Sequence, residues 1–137
     1  MQRDKFIRYF QNIPVSINNL YGDPFFCNQV ENTFEKLNKL RESRHTGIVS
    51  IITKTEINTD IALRLSEYTK DLNLVVLVSI SELPKSIENI KGNRYKTLGL
   101  CEKYNIFNIP YTRPFIPNEN TDKATINNMF SKIIEQY

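Results

Sequence analysis

Leu74-Val75-Val76-Leu77-Val78-Ser79-Ile80 is the stretch that decides the fold. It is too short for an ordinary helix, rich in β-branched residues and almost unbroken in apolar character. That pattern predicts a strand buried on both faces of a parallel sheet. Ile48-Val49-Ser50-Ile51-Ile52 has the same character and earns the same reading. Two weaker runs complete the set: Ile13-Pro14-Val15-Ser16-Ile17 upstream, and a fourth from Ile106 through Ile116 with prolines inside it.

A segment of helical period follows each run. Val30, Phe34, Leu37 and Leu40 recur at helical spacing among Glu31, Glu35, Lys36 and Lys39, which predicts a helix over 29–43 with one buried stripe, and Gly47 ends the connection after it. Asn58-Thr59-Asp60 offers side-chain oxygens to the unpaired amides of a second helix, whose inward face is Ile61, Leu65, Tyr68 and Leu72. A third covers 94–104, with Tyr95, Leu98 and Cys101 on one side. Thr121-Asp122 starts the last, with Ile126, Met129, Phe130, Ile133 and Ile134 inward. Phe6, Ile7 and Phe10 share one face of a leading helix over 5–12 that runs straight into the first strand. The order is therefore a leading helix within 1–12 and four βα units over 13–137, repeating at about 30 residues as βαβ units do. This is an α/β fold of parallel βα repeats joined by right-handed crossovers. The pattern leaves open whether the sheet is doubly wound or part of a barrel, since a full eightfold barrel needs about 250 residues.

The chain has 137 residues, which is one domain. Eighteen basic against fifteen acidic residues leave a net charge of +3, too weak and too mixed in sign to argue for nucleic acid or a membrane surface. No apolar run approaches the roughly 20 residues that span a bilayer, and Met1-Gln2-Arg3-Asp4-Lys5 does not begin a signal peptide. A soluble cytoplasmic protein is the default expectation. Two cysteines, Cys27 and Cys101, and a single histidine, His45, cannot build a zinc site from Cys and His, nor hold an iron–sulfur cluster on three or four cysteines. No residue is assigned to a metal. The plain reading of both thiols is as small, buried or half-buried hydrophobes. There is no phosphate-binding glycine loop of the common kinds and no serine-hydrolase elbow.

In parallel α/β structures ligands bind beyond the carboxyl ends of the strands. Those ends are polar here: Asn18-Asn19-Leu20-Tyr21-Gly22-Asp23-Pro24, Thr53-Lys54-Thr55-Glu56, Ser79-Ile80-Ser81-Glu82 and Tyr111-Thr112-Arg113-Pro114-Phe115-Ile116-Pro117. Gly22-Asp23-Pro24 joins a residue tolerant of positive φ to a carboxylate and a rigid turn, so Asp23 can accept from a ligand ammonium or simply close a turn. Lys54 and Arg113 can pair with a carboxylate or phosphate, or remain solvated charges. Ser79 and Ser81 can bind a ribose or carboxylate, or merely end the strand. Arg94 opens a helix, where its charge opposes the dipole, so it needs a reason other than helix stability or else leans into solvent. His45 lies at the amino end of the following strand, away from the ligand end, and reads as a surface or capping residue.

Taken in order, Asn19 through Phe25, Val49 through Lys54, Val76 through Ser81, Arg94 through Leu98 and Tyr111 through Pro117 resemble part of the core of the radical S-adenosylmethionine (radical SAM) superfamily. The resemblance implies a partial (β/α)6 TIM-like barrel, of which this chain covers strands two to five. It implies S-adenosylmethionine as cofactor, its amino group near Tyr21, Gly22 and Asp23, its ribose and carboxylate near Ser79, Ser81 and Arg94, and its adenine near Arg113 to Pro117. The family's 4Fe-4S cluster hangs on a C-x3-C-x2-C loop after the first strand, and that spacing is absent from this sequence. The resemblance thus implies an incomplete enzyme core, inactive alone, with Met1 just past the cluster loop of a truncated, split or decayed chain. Its partner would be a separate chain or segment carrying the first βα unit, and an apolar edge beside residues 13–17 would otherwise stand open. A different class of reading is a freestanding open α/β module, flavodoxin-like, holding an anionic small molecule or a protein partner.

Overall fold

The computed structural model describes residues 8–17, 22–89 and 92–137. Residues 8–12 are helical and lead into β1 (Val15–Ile17). Then follow α1 (Val30–Glu42), β2 (Ile48–Thr53), α2 (Thr59–Tyr68), β3 (Asn73–Ile80), α3 (Arg94–Lys103), β4 (Asn108–Thr112) and α4 (Lys123–Ile134). The predicted alternation is present, and Phe6, Ile7 and Tyr21 lie outside the described residues.

The caps show why the helices start where they do. Asn58 Oδ1 accepts from the Ile61 amide at 2.9 Å, Asn93 Oδ1 from Tyr95 at 3.1 Å and Asp122 Oδ1 from Thr125 at 2.9 Å, each satisfying an amide that has no partner inside its helix.

All four strands are parallel and lie in sequence order, β1-β2-β3-β4. A flavodoxin-like sheet, ordered 2-1-3-4-5, contains a strand at which the direction of addition reverses. Here each strand is added to the same side of the last. With right-handed crossovers throughout, that order carries every connecting helix to one face.

The core confirms the one-sided layering. The strand residues that enter it are Ile17, Val49, Ile51, Leu74, Val76, Val78 and Ile80. The register places Ile17 beside Ile51 and Val76, and Val49 beside Leu74, so these side chains share a single face. Leu37 of α1, Leu65 of α2, Leu98 of α3 and Met129 of α4 meet them there. Fully burying such a side chain contributes about 1.5–3 kcal/mol.

The opposite face carries Ser16, Ile48, Ser50, Ile52, Val75, Leu77, Ser79, Ile109 and Tyr111, and contributes nothing to this core. Ile48 is 55% exposed and Ile109 41%. The expectation that β2 is buried on both faces is therefore corrected. Its burial alternates, and only β3 is nearly closed on both sides.

Two edges bound the sheet. Val76 N–H donates to Phe107 O and Arg113 N–H to Ile80 O, both at 3.0 Å. Alternate residues of a strand point their backbone groups to opposite sides, so Pro110 faces its nitrogen, which has no hydrogen, to the outer edge. At the other edge, β1 and α1 border a cleft of about 300 Å³ lined by Val15, Ile17, Lys36 and Leu40.

Gly47 binds the leading helix to β2. Its amide donates to Gln11 O at 3.0 Å, and a Cβ there would lie 2.6 Å from Asn12 O and 2.7 Å from Ile13 O. Two further expectations are corrected. On α4, Met129 and Ile133 are buried, but Phe130 and Ile134 are 47% and 71% exposed because α3 covers only one side of that helix. For His45 the correction is partial: the residue is not at the surface, being 4% exposed, but it does cap, its amide donating to Leu40 O at the end of α1. Among the described residues no helix is long and apolar enough to cross a membrane.

Candidate ligand site at the carboxyl ends of the strands

Parallel strands that end together bring their following loops together. Lys54, Ser81 and Arg94 meet around one side chain that the sequence reading did not single out, Glu88, and Ser79 joins them through its backbone carbonyl alone. Lys54 Nζ pairs with Glu88 Oε1, Ser81 Oγ donates to Glu88 Oε2, and Arg94 Nη1 reaches the same Oε2 at 3.3 Å. Arg94 Nη1 also donates to Ser79 O at 3.1 Å and Ser81 Oγ at 3.2 Å. This is the reason for an arginine at a helix start. Its hydrogen bonds across the strand end outweigh the few tenths of a kcal/mol to about 1 kcal/mol lost against the dipole.

Glu88 and Arg94 are mostly buried, with side chains 13% and 15% exposed. Burial alone would push the Glu88 carboxyl up. The hydrogen bonds from Lys54 and Ser81 and the charges of Lys54 and Arg94 outweigh it and hold the carboxyl below its ordinary value.

A second acid, Glu82, lies beyond the first. It accepts from Tyr95 Oη, and Lys132 Nζ of α4 stands 3.3 Å away. Burial again raises this carboxyl, and the Tyr95 and Lys132 bonds again lower it further than burial raises it. Burial and the Glu82 charge push the Tyr95 hydroxyl well above its usual range.

Asp23 is set apart from the basic cluster by what it already does. Oδ1 accepts from Thr53 Oγ1 at 2.7 Å and from the Phe25 amide at 3.0 Å, and Oδ2 from the Lys54 amide at 2.5 Å. The carboxylate staples the loop after β1 to the end of β2, and Gly22 precedes it at φ +147°, a conformation that side chains rarely adopt. Thr33 fixes the same loop from α1 through Oγ1 to Pro24 O at 2.8 Å.

Arg113 does not join the cluster through its side chain. Its guanidinium lies over the Tyr111 ring at 4.2 Å, while its amide holds Ile80 O. Asn120 closes that side: it is 2% exposed, accepts from the Ile116 amide at 2.7 Å, and donates to Pro114 O at 2.9 Å and to Ser81 O.

Ser79 is fully buried on the open face of the sheet, in register with Tyr111, and its Oγ has no hydrogen-bond partner among the described residues. An orphaned buried hydroxyl at a strand end is an unfilled acceptor and donor. Cys101 is buried in the core, its thiol pushed up to about 12 by burial and then by Glu102, while Cys27 is exposed, which corrects the expectation that both thiols are buried or half-buried. Among the described residues no group of three or more His, Cys, Asp or Glu could hold a metal ion.

The cluster as a whole can hold one carboxylate between two cations and a hydroxyl. Sequence reasoning placed Lys54, Ser79, Ser81 and Arg94 but missed Glu88, Thr53 and Asn120. No family model matches the chain, and no curated protein or solved structure matches it either.

Proposed function

We propose that this chain is a segment of a β/α barrel that binds a small organic ligand at the carboxyl ends of its strands. The ligand class that the resemblance indicates is S-adenosylmethionine. The observation that carries the reading is the convergence of Ser79, Ser81, Arg94 and Lys54 at adjacent ends of an all-parallel sheet that is wound in one direction only.

The residues fit such a ligand in part. Ser79 carries an unpartnered but fully buried hydroxyl, which a ribose reaches only once the strand end opens, and Arg94, Ser81 and Lys54 suit a carboxylate once Glu88 gives way. Asp23 fits less well, because three donors already use its oxygens, so its role in this reading is to shape the loop. In the complete family domain a 4Fe-4S cluster supplies the electron that cleaves S-adenosylmethionine. This chain, whose two cysteines cannot ligate that cluster, contributes binding and orientation alone. The partner in this reading is a preceding βα unit, on the same or another polypeptide, pairing at the β1 edge.

Titration of isotopically labelled protein with S-adenosylmethionine tests the reading. Amide signals of residues 79–81 and of Gly22 and Asp23 are expected to move, and Arg94→Ala to weaken binding about tenfold. Unmoved signals at millimolar ligand would rule the reading out.

A further inference from the structure

We infer that Glu88 fills a carboxylate-binding site of this protein, and that a small carboxylate entering from the cleft beside α3 takes its place. Three donors from three different segments converge on this one side chain: Lys54 after β2, Ser81 after β3 and Arg94 at the start of α3. A surface ion pair has one partner and solvent around it. Here the carboxylate is enclosed and both of its oxygens are taken, which is how proteins hold a carboxylate ligand.

Receptor and occupant differ in how firmly they are held. Ser81 and Arg94 are tied to the sheet end through the Ser79 and Ser81 carbonyls, the latter gripped by buried Asn120. Glu88 rides on a single turn in which the amides of Ile87 and Glu88 both donate to Pro84 O, with Lys85, Ser86 and Ile87 exposed. Displacing it disturbs a loop and no strand.

There is also a way in. Glu88 and Arg94 line a cleft of about 500 Å³ together with Glu82, Lys85, Tyr95 and Lys132. Its lining includes Lys132 of α4, which places it on the helix side of the sheet. A free carboxylate reproduces what Glu88 offers, one charge on two acceptor oxygens, so the exchange leaves the charge and the bonds of Lys54, Ser81 and Arg94 unchanged in number. The inference rests on the same strand ends as the reading above, but not on S-adenosylmethionine being the ligand.

Acetate is the probe, so that the two proposals fail separately. Thermal unfolding of Glu88→Ala is followed as sodium acetate replaces sodium chloride at constant ionic strength, with acetamide as the neutral control. About 200 mM acetate is expected to raise the midpoint of the variant by about 4 °C, with no effect of acetamide and little on the wild type, whose site is filled. Equal effects of acetate and chloride on the variant would overturn the inference. If Glu88→Ala does not fold, Glu88→Gln keeps the size and drops the charge. Acetate must then move the amide signals of Lys54, Ser81 and Arg94 at least tenfold more readily than in the wild type, and failure to do so overturns the inference as surely. A protein that answers to acetate and not to S-adenosylmethionine keeps the carboxylate site and loses the other reading.

Discussion

The two ends of this sheet are built from different chemistry. At the carboxyl ends, loops are held by charged and hydroxyl side chains: Asp23 on Thr53 and Lys54, Glu88 on Lys54, Ser81 and Arg94, Asn120 on Ser81. At the amino ends, much of the holding is by backbone, with Thr46 and Gly47 amides both on Gln11 O, and apolar Ile48, Phe107 and Ile109 line a cleft beside them. Backbone contacts of the second kind tolerate many side chains so long as they fit. Side-chain networks of the first kind fail when one member is removed, because the others are left buried and unpaired.

Removing Asp23 should show this most strongly. Asp23→Ala strands Thr53 Oγ1 and the amides of Phe25 and Lys54 together, and the expected loss is about 3 kcal/mol, read from the denaturant midpoint at unchanged slope. An effect below about 0.5 kcal/mol would mean that water replaces the carboxylate and that this end is no more demanding than the other.

Gly47→Ala attacks the amino end through shape alone. The added methyl meets the Asn12 and Ile13 carbonyls at under 3 Å, and a cost of roughly 1–3 kcal/mol is expected. If that cost equals the Asp23 effect, the contrast between the ends is one of residue type and not of sensitivity.

The smallest effect is in pH. Glu82 and Glu88 both titrate below their ordinary value of 4.5 in the folded protein. A carboxylate with a lowered folded pKa adds stability above its unfolded pKa and loses it as pH falls through the folded one. Stability should therefore decline from about pH 4.5 downward, and Glu82→Gln with Glu88→Gln should flatten that limb while Gly47→Ala leaves its shape alone. An acid limb unchanged by both replacements would place the sensitive carboxylates elsewhere.

Much of the fold was readable because two helix starts carry their own instruction in the sequence. Asn58 and Asp122 accept the amides that a cap is meant to accept, and the inward stripe of α2 is the one its spacing predicted. What misled was apolar character without a neighbour to cover it. Ile48 and Ile52 make β2 look two-faced because only Ser50 breaks the run, yet that side meets no helix of the core. Phe130 and Ile134 read as inward on a helix that buries only Met129 and Ile133.

The site was half readable. Residues at strand ends could be listed from position alone, so Lys54, Ser81 and Arg94 were found. Glu88 sits in a loop without pattern and meets Lys54 across 34 positions of sequence, a pairing that only the fold creates. Nor does any sequence signal say that Asp23 is committed to its own loop.

The nitrogen of Pro110 has a consequence for growth. A chain of copies that lengthens by strand addition must join the β4 edge of one to the β1 edge of the next, repeating without end. Pro110 withholds a donor from the middle of the first of those edges, so the two edges are unequal partners. Among the described residues, β1 against β1 is the pairing that no proline interrupts, a contact that uses itself up once formed. Concentrated protein should then stop at pairs, which sedimentation would show, and not run on into filaments.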